Sequence, residues 1–261
     1  MSAPAQVVPV ELSDAALRRL VGIAREAGEA IMTWYGAGAV VTAKADGSPL
    51  TSADRAAHEV IDAALKAWDA AVPVVSEEGD LPAPAARRDW RRFWLVDPLD
   101  GTKEFVSRNG EFTVNIALIE DGEPVLGVVF APALPRWWYA GRGLGAWTGA
   151  PGSEPVRIHS APAAPGAPLV VVESRSHPSE RLERYLGSID VSERIQAGSS
   201  LKFCMVAEGK ADIYPRFGPT MEWDVAAGDC IFRNSGRVAP RQSPLRYNKP
   251  DLRNGDFILG A

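Results

Sequence analysis

The segment Asp97-Pro98-Leu99-Asp100-Gly101-Thr102 places two carboxylates, a proline, a glycine and a hydroxyl side by side. It follows Phe93-Trp94-Leu95-Val96, an apolar run that predicts a buried strand. Proline fixes its own φ and donates no hydrogen bond, so Pro98 can hold both aspartates on one side of a turn, with the Leu99 carbonyl directed the same way. Carboxylate and carbonyl oxygens in this arrangement suit Mg²⁺.

An ordinary strand-to-turn connection also explains this segment, because Asp-Pro and Asp-Gly are common turn dipeptides. Two further acidic segments favour a metal site. Ser76-Glu77-Glu78 ends a second apolar run, Val72 to Val75, and Trp223-Asp224-Val225-Ala226-Ala227-Gly228 begins a helical pattern. Acids are costly to gather without cations, because each negative charge disfavours ionisation of the next.

These acidic segments resemble the signature of the lithium-sensitive, Mg²⁺-dependent phosphatases of the inositol monophosphatase superfamily. The branch of bacterial 3'(2'),5'-bisphosphate nucleotidases is similar to this chain in four stretches: Asp97 to Phe105, Asn109 to Ile119, Gly198 to Cys204 and Tyr214 to Thr220. The resemblance is strong from Lys44 to Gly228. It implies an α/β (α+β) fold layered as an αβαβα sandwich, in agreement with the mixed helical and strand patterns.

The composition is that of a soluble enzyme, with 261 residues, 46% of them hydrophobic, and a formal net charge of −5. The acidic balance argues against a nucleic-acid partner. Neither a secretory leader nor an apolar run long enough for stable membrane insertion is expected. Cys204 and Cys230 lie in apolar patterns typical of reduced core residues. We therefore expect a cytoplasmic monomer or homodimer, with peripheral association with the inner face of the cell membrane left open.

Apolar spacing predicts a helix from an N-cap at Ser13 to the region of Gly36 and a second helix over 57–68. A stretch rich in proline, alanine and glycine from Pro151 to Pro168 predicts a boundary between two halves, 1–150 and 151–261. The first half would carry most metal ligands. Further strands are predicted at 113–119, 125–130, 137–140 and 169–173, and further helices at 178–186, 199–208 and 224–234.

The resemblance implies how the acids would share cations. One Mg²⁺ is expected on Glu77, Asp97 and the Leu99 carbonyl, and a second on Asp97, Asp100 and Asp224. In such sites the cations typically lie about 3.5–4 Å apart. A third and weaker Mg²⁺ would use Glu77 and waters, because Mg²⁺ usually retains several waters. Asp224 could instead cap the helix that follows it, an alternative that its flanking sequence disfavours.

The resemblance also implies a proton relay. Thr102 would hydrogen-bond the attacking water and pair with Asp54, while Glu77 would share the general-base work. Asp54 has a second interpretation, because Thr51-Ser52-Ala53-Asp54 fits a helix capping box. The two interpretations are compatible. Glu78 is expected behind the ligands rather than among them, and His58 is expected to be structural.

Residues that contact the substrate are expected mainly in the second half of the chain. Lys202 and Arg216 are predicted to bind a second phosphate, although a solvated helical position and a surface loop explain them equally simply. Ser199 and Ser200 could add donors at a helix N-terminus. His177 resembles a position near the nucleotide, with an exposed turn as the alternative. In the first half, the amides of Gly101 and Thr102 are predicted to receive a phosphate.

The function implied is hydrolysis of the 3'-phosphate of adenosine 3',5'-bisphosphate, and of its 5'-phosphosulfate relative, in sulfate assimilation. A nucleotide bisphosphate is thus the expected partner molecule. An inositol-1-phosphate or fructose-1,6-bisphosphate phosphatase is the nearest alternative, since it would use the same cations. A non-catalytic nucleotide sensor is the second alternative. Because every expected acid is present, the enzyme interpretation is favoured, and inhibition by Li⁺ is expected.

Overall fold

The computed structural model describes residues 10–37, 41–43, 49–176, 179–236 and 245–260. The helices are α1 (Asp14–Ala37), α2 (Ser52–Trp68), α3 (Pro84–Arg87), α4 (Thr102–Val106), α5 (Glu180–Leu186), α6 (Leu201–Ala207) and α7 (Glu222–Arg233). The strands are β1 (Val41–Ala43), β2 (Pro49–Thr51), β3 (Val74–Ser76), β4 (Arg92–Asp100), β5 (Thr113–Glu120), β6 (Glu123–Ala131), β7 (Arg136–Gly141), β8 (Gly145–Gly149), β9 (Val156–Ile158), β10 (Leu169–Ser174), β11 (Val191–Ala197), β12 (Ile213–Arg216), β13 (Thr220–Met221), β14 (Arg253–Asn254) and β15 (Phe257–Gly260).

A seven-stranded sheet forms the larger half of the fold, with its strands in the chain order β3 to β9. β3 runs parallel to β4, and every later neighbour is antiparallel. Consecutive residues of β4, from Phe93 to Leu99, are buried, so both faces of this strand are covered. The apolar run that precedes the acidic turn is therefore a central strand, as its composition predicts.

α1 and α2 cover one face of this sheet. The predicted N-cap is confirmed, because the Ala16 amide donates to Ser13 Oγ at 3.2 Å. α2 begins at Ser52, earlier than its apolar spacing suggests, and buries Ile61 and Leu65 against the sheet. Its first turn consequently reaches the end of β4, where the acidic turn lies.

α6 and α7 lie between the large sheet and a four-stranded sheet of order β11-β10-β12-β15. One continuous apolar core joins α7, α6 and the inner faces of both sheets. α5 covers the outer face of the small sheet through Leu182 and Leu186, which pack with Val171 and Ile213. The layers therefore run αβαβα, which confirms the predicted fold.

The structure shifts several predicted boundaries and adds strands. α6 begins at Leu201 rather than Ser199, because Ser199 has a left-handed φ of 42° that a helix cannot accommodate. The strand β11 was not predicted from the sequence, because it is an edge strand whose residues are mostly exposed and therefore lack an apolar pattern. The seven-stranded sheet continues through Ile158. The division of the chain at residue 150 stays a prediction, and in the described part no helix is long and apolar enough to span a bilayer.

Candidate active site

A pocket of about 300 Å³ opens where the ends of β3 and β4 meet α4, α6, β12 and the start of α7. Every predicted metal ligand and all the predicted substrate residues except His177 line it: Glu77, Asp97, Leu99, Asp100, Gly101, Thr102, Ser199, Ser200, Lys202, Arg216 and Asp224. His177 lies outside the described residues. Tertiary folding therefore gathers residues that are spread over 148 positions, from 77 to 224, around one cavity.

The acidic turn at the end of β4 is rigidly built. Pairing with β5 is interrupted between Asp97 and Asp100, so the chain leaves the sheet there. The Leu99 amide donates to Asp97 Oδ1 at 3.1 Å, which fixes the direction of that buried carboxylate. Gly101 then adopts a φ of 87°, and α4 begins at Thr102. The left-handed glycine turns the chain sharply enough for two aspartates and a helix start to share one small volume.

Three carboxylates meet in front of this turn. Glu77, Asp97 and Asp224 each place one oxygen within 4.8 Å of the others. The Glu77 amide donates to the Val96 carbonyl at 3.1 Å, which sets Glu77 beside the end of β4. Asp224 lies in the first turn of α7, where its Oδ2 accepts a hydrogen bond from the Met221 amide at 2.8 Å. Asp224 thus caps its helix and also lies in the carboxylate cluster, so the cap is present and the predicted metal role is compatible with it.

The electrostatics of the cluster favour a cation. Burial raises the pKa of Asp100 to about 6, while the charge of Lys202 and a hydrogen bond from Asn115 oppose that rise. Burial, and then the charge of Asp100, raise the pKa of Asp224 well above its ordinary value. A divalent ion removes this mutual repulsion, and hard carboxylate oxygens are the ligands that Mg²⁺ prefers. The donor set therefore fits the expected metal.

Thr102 and Asp54 are in contact. Thr102 Oγ1 lies 3.4 Å from Asp54 Oδ1 and 3.5 Å from the Leu99 carbonyl oxygen, both long hydrogen bonds. Asp54 is 1% exposed and belongs to the first turn of α2. The side chain of Thr51 lies outside the described residues, so the predicted capping box stays a prediction. The pairing of Thr102 with Asp54 is present as expected.

A buried polar network, which the sequence patterns did not indicate, joins the two sides of the pocket. Asn115, on β5, donates through Nδ2 to Ser200 Oγ at 3.0 Å and to Asp100 Oδ2 at 3.3 Å. Thr113 donates to Asn115 Oδ1 at 2.9 Å. Ser200 Oγ in turn donates to the Asp224 carbonyl at 2.7 Å. Asn115 therefore ties one predicted metal ligand to the turn that precedes α6. Asn115 lies in the family-similar stretch from Asn109 to Ile119, which is a signal that could have revealed it, and the structure places it opposite Asp97 on the neighbouring strand.

Lys202 is buried, which contradicts the solvated-helix alternative. Its Nζ donates to the carbonyls of Ser199 at 2.5 Å and Ala197 at 3.3 Å, and lies 5.4 Å from the centre of the Tyr214 ring. Burial lowers the pKa of Lys202 to about 8, with Asp100 opposing the shift. The ammonium group thus holds the strained Ser199 turn. Arg216 lines the same pocket and donates to the Pro219 carbonyl at 3.1 Å.

Glu104 is a further buried carboxylate of the pocket wall that the sequence analysis did not single out. It accepts a hydrogen bond from Ser176 Oγ. Nearby, Glu111 accepts two hydrogen bonds from Arg175 at 2.8 Å and one from the Gly198 amide at 2.8 Å. These contacts join the α4 side of the pocket to the small sheet.

His58, which is predicted to be structural, lies next to the end of β3. Its Nδ1 lies 2.9 Å from the hydroxyl oxygen of Ser76, which is the residue before Glu77. The imidazole therefore contacts the end of β3 and not the pocket lining.

Comparison with known proteins agrees with this geometry. The model of the inositol monophosphatase family matches residues 13–259, and the chain belongs to that family. It is 54% identical over 218 residues to the 3'(2'),5'-bisphosphate nucleotidase CysQ of Salmonella typhimurium (strain LT2), covering 82% of this chain and 86% of that protein. It is 50% identical over 223 residues to CysQ of Escherichia coli (strain K12), covering 84% and 88%.

A solved structure extends the comparison to the fold. The crystal structure of CysQ from Bacteroides thetaiotaomicron, a bacterial member of the inositol monophosphatase family, matches with a TM-score of 0.80 and 43% identity. The match covers 95% of this chain and 97% of that one. The predicted resemblance to bacterial bisphosphate nucleotidases is therefore confirmed.

Proposed function

We propose that this protein is a Mg²⁺-dependent 3'(2'),5'-bisphosphate nucleotidase that releases the 3'-phosphate of adenosine 3',5'-bisphosphate, giving AMP and inorganic phosphate. One observation carries the proposal. A single pocket is lined by a three-carboxylate cluster and by the cations Lys202 and Arg216. The acids suit metal-assisted phosphoester hydrolysis, and the cations suit a substrate with a second anionic group.

Two Mg²⁺ would be held in this proposal by Glu77, Asp97, Asp100, Asp224 and the Leu99 carbonyl. A third and weaker Mg²⁺ would use Glu77 and waters. Mg²⁺ bound by these residues would lower the pKa of a bound water and offset the charge that develops on the leaving sugar oxygen. Asp97 belongs to both predicted ligand sets. Its fixed direction, set by the Leu99 amide at 3.1 Å, is what such a shared ligand requires.

The remaining chemistry belongs to side chains of the chain. We assign Thr102 to orient the attacking water through Oγ1 and Asp54 to accept the proton that Thr102 passes on, with Glu77 sharing the base role. Asp54 is buried and contacts Thr102, which lines the pocket, and this arrangement suits a relay. Proton transfer by a positioned group typically contributes about 10²–10⁴-fold to a rate.

Substrate contacts are assigned to both sides of the pocket. Gly101 and Thr102 would receive the scissile phosphate at the start of α4, and Ser199 and Ser200 would add donors for the substrate beside Lys202 in the turn before α6. Arg216 would bind the second phosphate, because a guanidinium can engage phosphate with two parallel hydrogen bonds. His177 keeps its proposed place near the nucleotide.

The proposal is tested by measuring phosphate release from adenosine 3',5'-bisphosphate with and without Mg²⁺. The same assay is run on its 5'-phosphosulfate relative, inositol-1-phosphate, fructose-1,6-bisphosphate and AMP. We expect Mg²⁺-dependent turnover with a strong preference for the bisphosphonucleotide and its relative. Preference for a sugar phosphate would replace the nucleotidase assignment but keep the metal chemistry. No phosphate release from any of these substrates, together with retained nucleotide binding, would indicate a sensor.

We further propose a place for this activity in the cell. A cytoplasmic enzyme of sulfate assimilation, active as a monomer or homodimer without a nucleic-acid partner, accords with the acidic composition and the small-molecule pocket. Millimolar Li⁺ is expected to inhibit turnover. Light scattering of the purified protein would distinguish monomer from homodimer.

A further inference from the structure

The C-terminal residues 247–254, which match no motif of the sequence analysis, pack against the start of the helix that carries Asp224. β13 pairs antiparallel with β14, so Thr220 lies opposite Asn254 and Met221 opposite Arg253. The Glu222 amide donates to the Leu252 carbonyl at 2.9 Å. The last pocket-lining segment before α7 is therefore one half of a two-stranded ribbon whose other half comes from the end of the chain.

Glu222 is the centre of this contact. It is 0% exposed, although it carries a charge and begins a helix. Its two carboxylate oxygens accept hydrogen bonds from the Asn248 amide at 2.7 Å, the Lys249 amide at 3.0 Å and Lys249 Nζ at 2.7 Å. A buried carboxylate is retained only when its charge and lone pairs are compensated, and here residues 248 and 249 supply all three donors.

Lys249 also fixes the ribbon directly. Its Nζ donates to Asn254 Oδ1 at 2.9 Å and to the Arg246 carbonyl at 2.8 Å. Asn254 Nδ2 donates to Thr220 Oγ1 at 3.2 Å and to the Met221 carbonyl at 3.1 Å. A single ammonium group therefore joins the first residue of α7 to the side chain that holds β13 in place.

The chain of contacts ends on a predicted metal ligand. The Met221 carbonyl accepts a hydrogen bond from Asn254 Nδ2, and the Met221 amide donates to Asp224 Oδ2 at 2.8 Å. The orientation of the Asp224 carboxylate thus depends on the position of Met221. Met221 is in turn fixed by Asn254, whose side chain Lys249 orients.

We propose that Lys249 is a positioning residue for the metal site, acting through Glu222 and through Asn254 and Met221 to orient the Asp224 carboxylate. The inference rests on the proposed metal role of Asp224. Lys249 does not line the pocket, so it would act on the site through the residues that it holds and not by contact with the substrate. Residues that support metal ligands from behind typically change metal affinity about 10–100-fold when removed.

The test compares Lys249→Met with Lys249→Arg in the full chain. We expect Lys249→Met to raise the Mg²⁺ concentration for half-maximal turnover about tenfold, while KM for the bisphosphonucleotide at saturating Mg²⁺ changes less than twofold. Lys249→Arg, which keeps the cation, is expected to restore most of the Mg²⁺ response. Calorimetric titration with Mg²⁺ alone measures the same loss without any substrate. It therefore separates failure of this inference from failure of the nucleotidase assignment.

Two further variants keep the test decisive. Lys210→Met removes a lysine that pairs with the largely buried Glu208 at 2.6 Å but does not line the pocket, and we expect it to leave Mg²⁺ binding unchanged. If Lys249→Met does not fold, Asn254→Ala breaks the same chain of contacts at a later link and is expected to weaken Mg²⁺ binding about threefold to tenfold. A folded Lys249→Met or Asn254→Ala protein with wild-type Mg²⁺ affinity would overturn the inference.

Discussion

The two sheets contribute opposite charges to one pocket. The seven-stranded sheet brings Glu77, which follows β3, and Asp97 and Asp100, which lie at the end of β4. The side of the small sheet brings Lys202 and Arg216. The strands of the large sheet around the acids are buried on both faces, but the small sheet has a mostly exposed edge strand. The difference accords with the proposed division of labour, in which the acidic side of the pocket would hold the cations and the side of the small sheet would receive the substrate.

Asp97→Asn tests the cation-binding half and carries the largest expected effect. Asparagine keeps the oxygen that accepts the Leu99 amide, so the turn survives while a shared metal ligand loses its charge. We expect turnover to fall about 10³-fold, because a fixed charge is lost from the reaction centre. Thermal unfolding without Mg²⁺ should shift to a higher temperature, because one of three crowded carboxylates is gone.

Asp62→Asn is the matched control for that experiment. Asp62 pairs with Lys66 on the surface of α2 and lies away from the pocket, so activity should not change. Retention of more than a tenth of wild-type turnover by Asp97→Asn would mean that Asp97 is not a shared ligand.

Thr102→Val sharpens the comparison within the large-sheet half, because it separates the proton relay from metal binding. The hydroxyl that contacts Asp54 at 3.4 Å is lost and the side-chain volume is kept. We expect kcat to fall about 10²-fold with an unchanged Mg²⁺ requirement. Asp54→Asn should lower kcat similarly, and the double variant should lose little more, because residues of one relay act as a unit. Additive losses in steady-state kinetics would argue for two separate roles.

Arg216→Ala tests the substrate-binding half. We expect KM for the bisphosphonucleotide to rise about tenfold through loss of a charged phosphate contact, with hydrolysis of a monophosphate ester nearly unchanged. Arg194→Ala serves as the control on the same sheet, since Arg194 pairs with Glu173 and Glu183 outside the pocket. Equal losses on both substrates would remove the proposed distinction between the two halves.

The pH dependence of stability gives the smallest expected effect. Burial raises the pKa of Asp100 to about 6 from 3.8 and raises that of Asp224. A carboxyl with a raised pKa stabilises the fold fully below its ordinary pKa, and this contribution is lost as the pH rises through about 6. Without Mg²⁺, urea denaturation should therefore show lower stability at pH 7 than at pH 5, by about 1 kcal/mol per pH unit.

Replacing both Asp100 and Asp224 by asparagine should flatten that slope, and saturating Mg²⁺ should reverse it, because the ion binds the ionised carboxylates. A slope that persists in the double variant would assign the effect to other groups.

The predictable part of the site is the part built from consecutive residues. The turn after β4 is set locally, since proline, glycine and an aspartate that bonds its own backbone define it within a few positions. Helix α1 was equally predictable from local sequence, because of its cap at Ser13 and its apolar spacing. The start of α6 could not be predicted in this way. Ser199 has a left-handed backbone held by the Lys202 ammonium, and no local pattern encodes that contact.

Other features became visible only through contacts between distant segments. In the sequence, Asn115 is one polar residue in the apolar strand β5. Only the folded structure shows that its side chain contacts Asp100 and Ser200. Lys249 lies in a segment without a motif, yet it compensates a fully buried glutamate next to Asp224. The strand β11 lacked a readable pattern because an edge strand buries little of its surface.

By itself, the sequence pattern indicated layered packing of helices and sheets and three acidic segments that suit a cation, because these depend on residue type and on spacing within single elements. The resemblance of those segments to a known family added the αβαβα order and the class of chemistry. Only the tertiary structure decided which uncharged and cationic side chains orient those acids. A hydrogen bond or ion pair reaches about 3 Å, so its partners are fixed by how sheets and helices pack rather than by their separation along the chain.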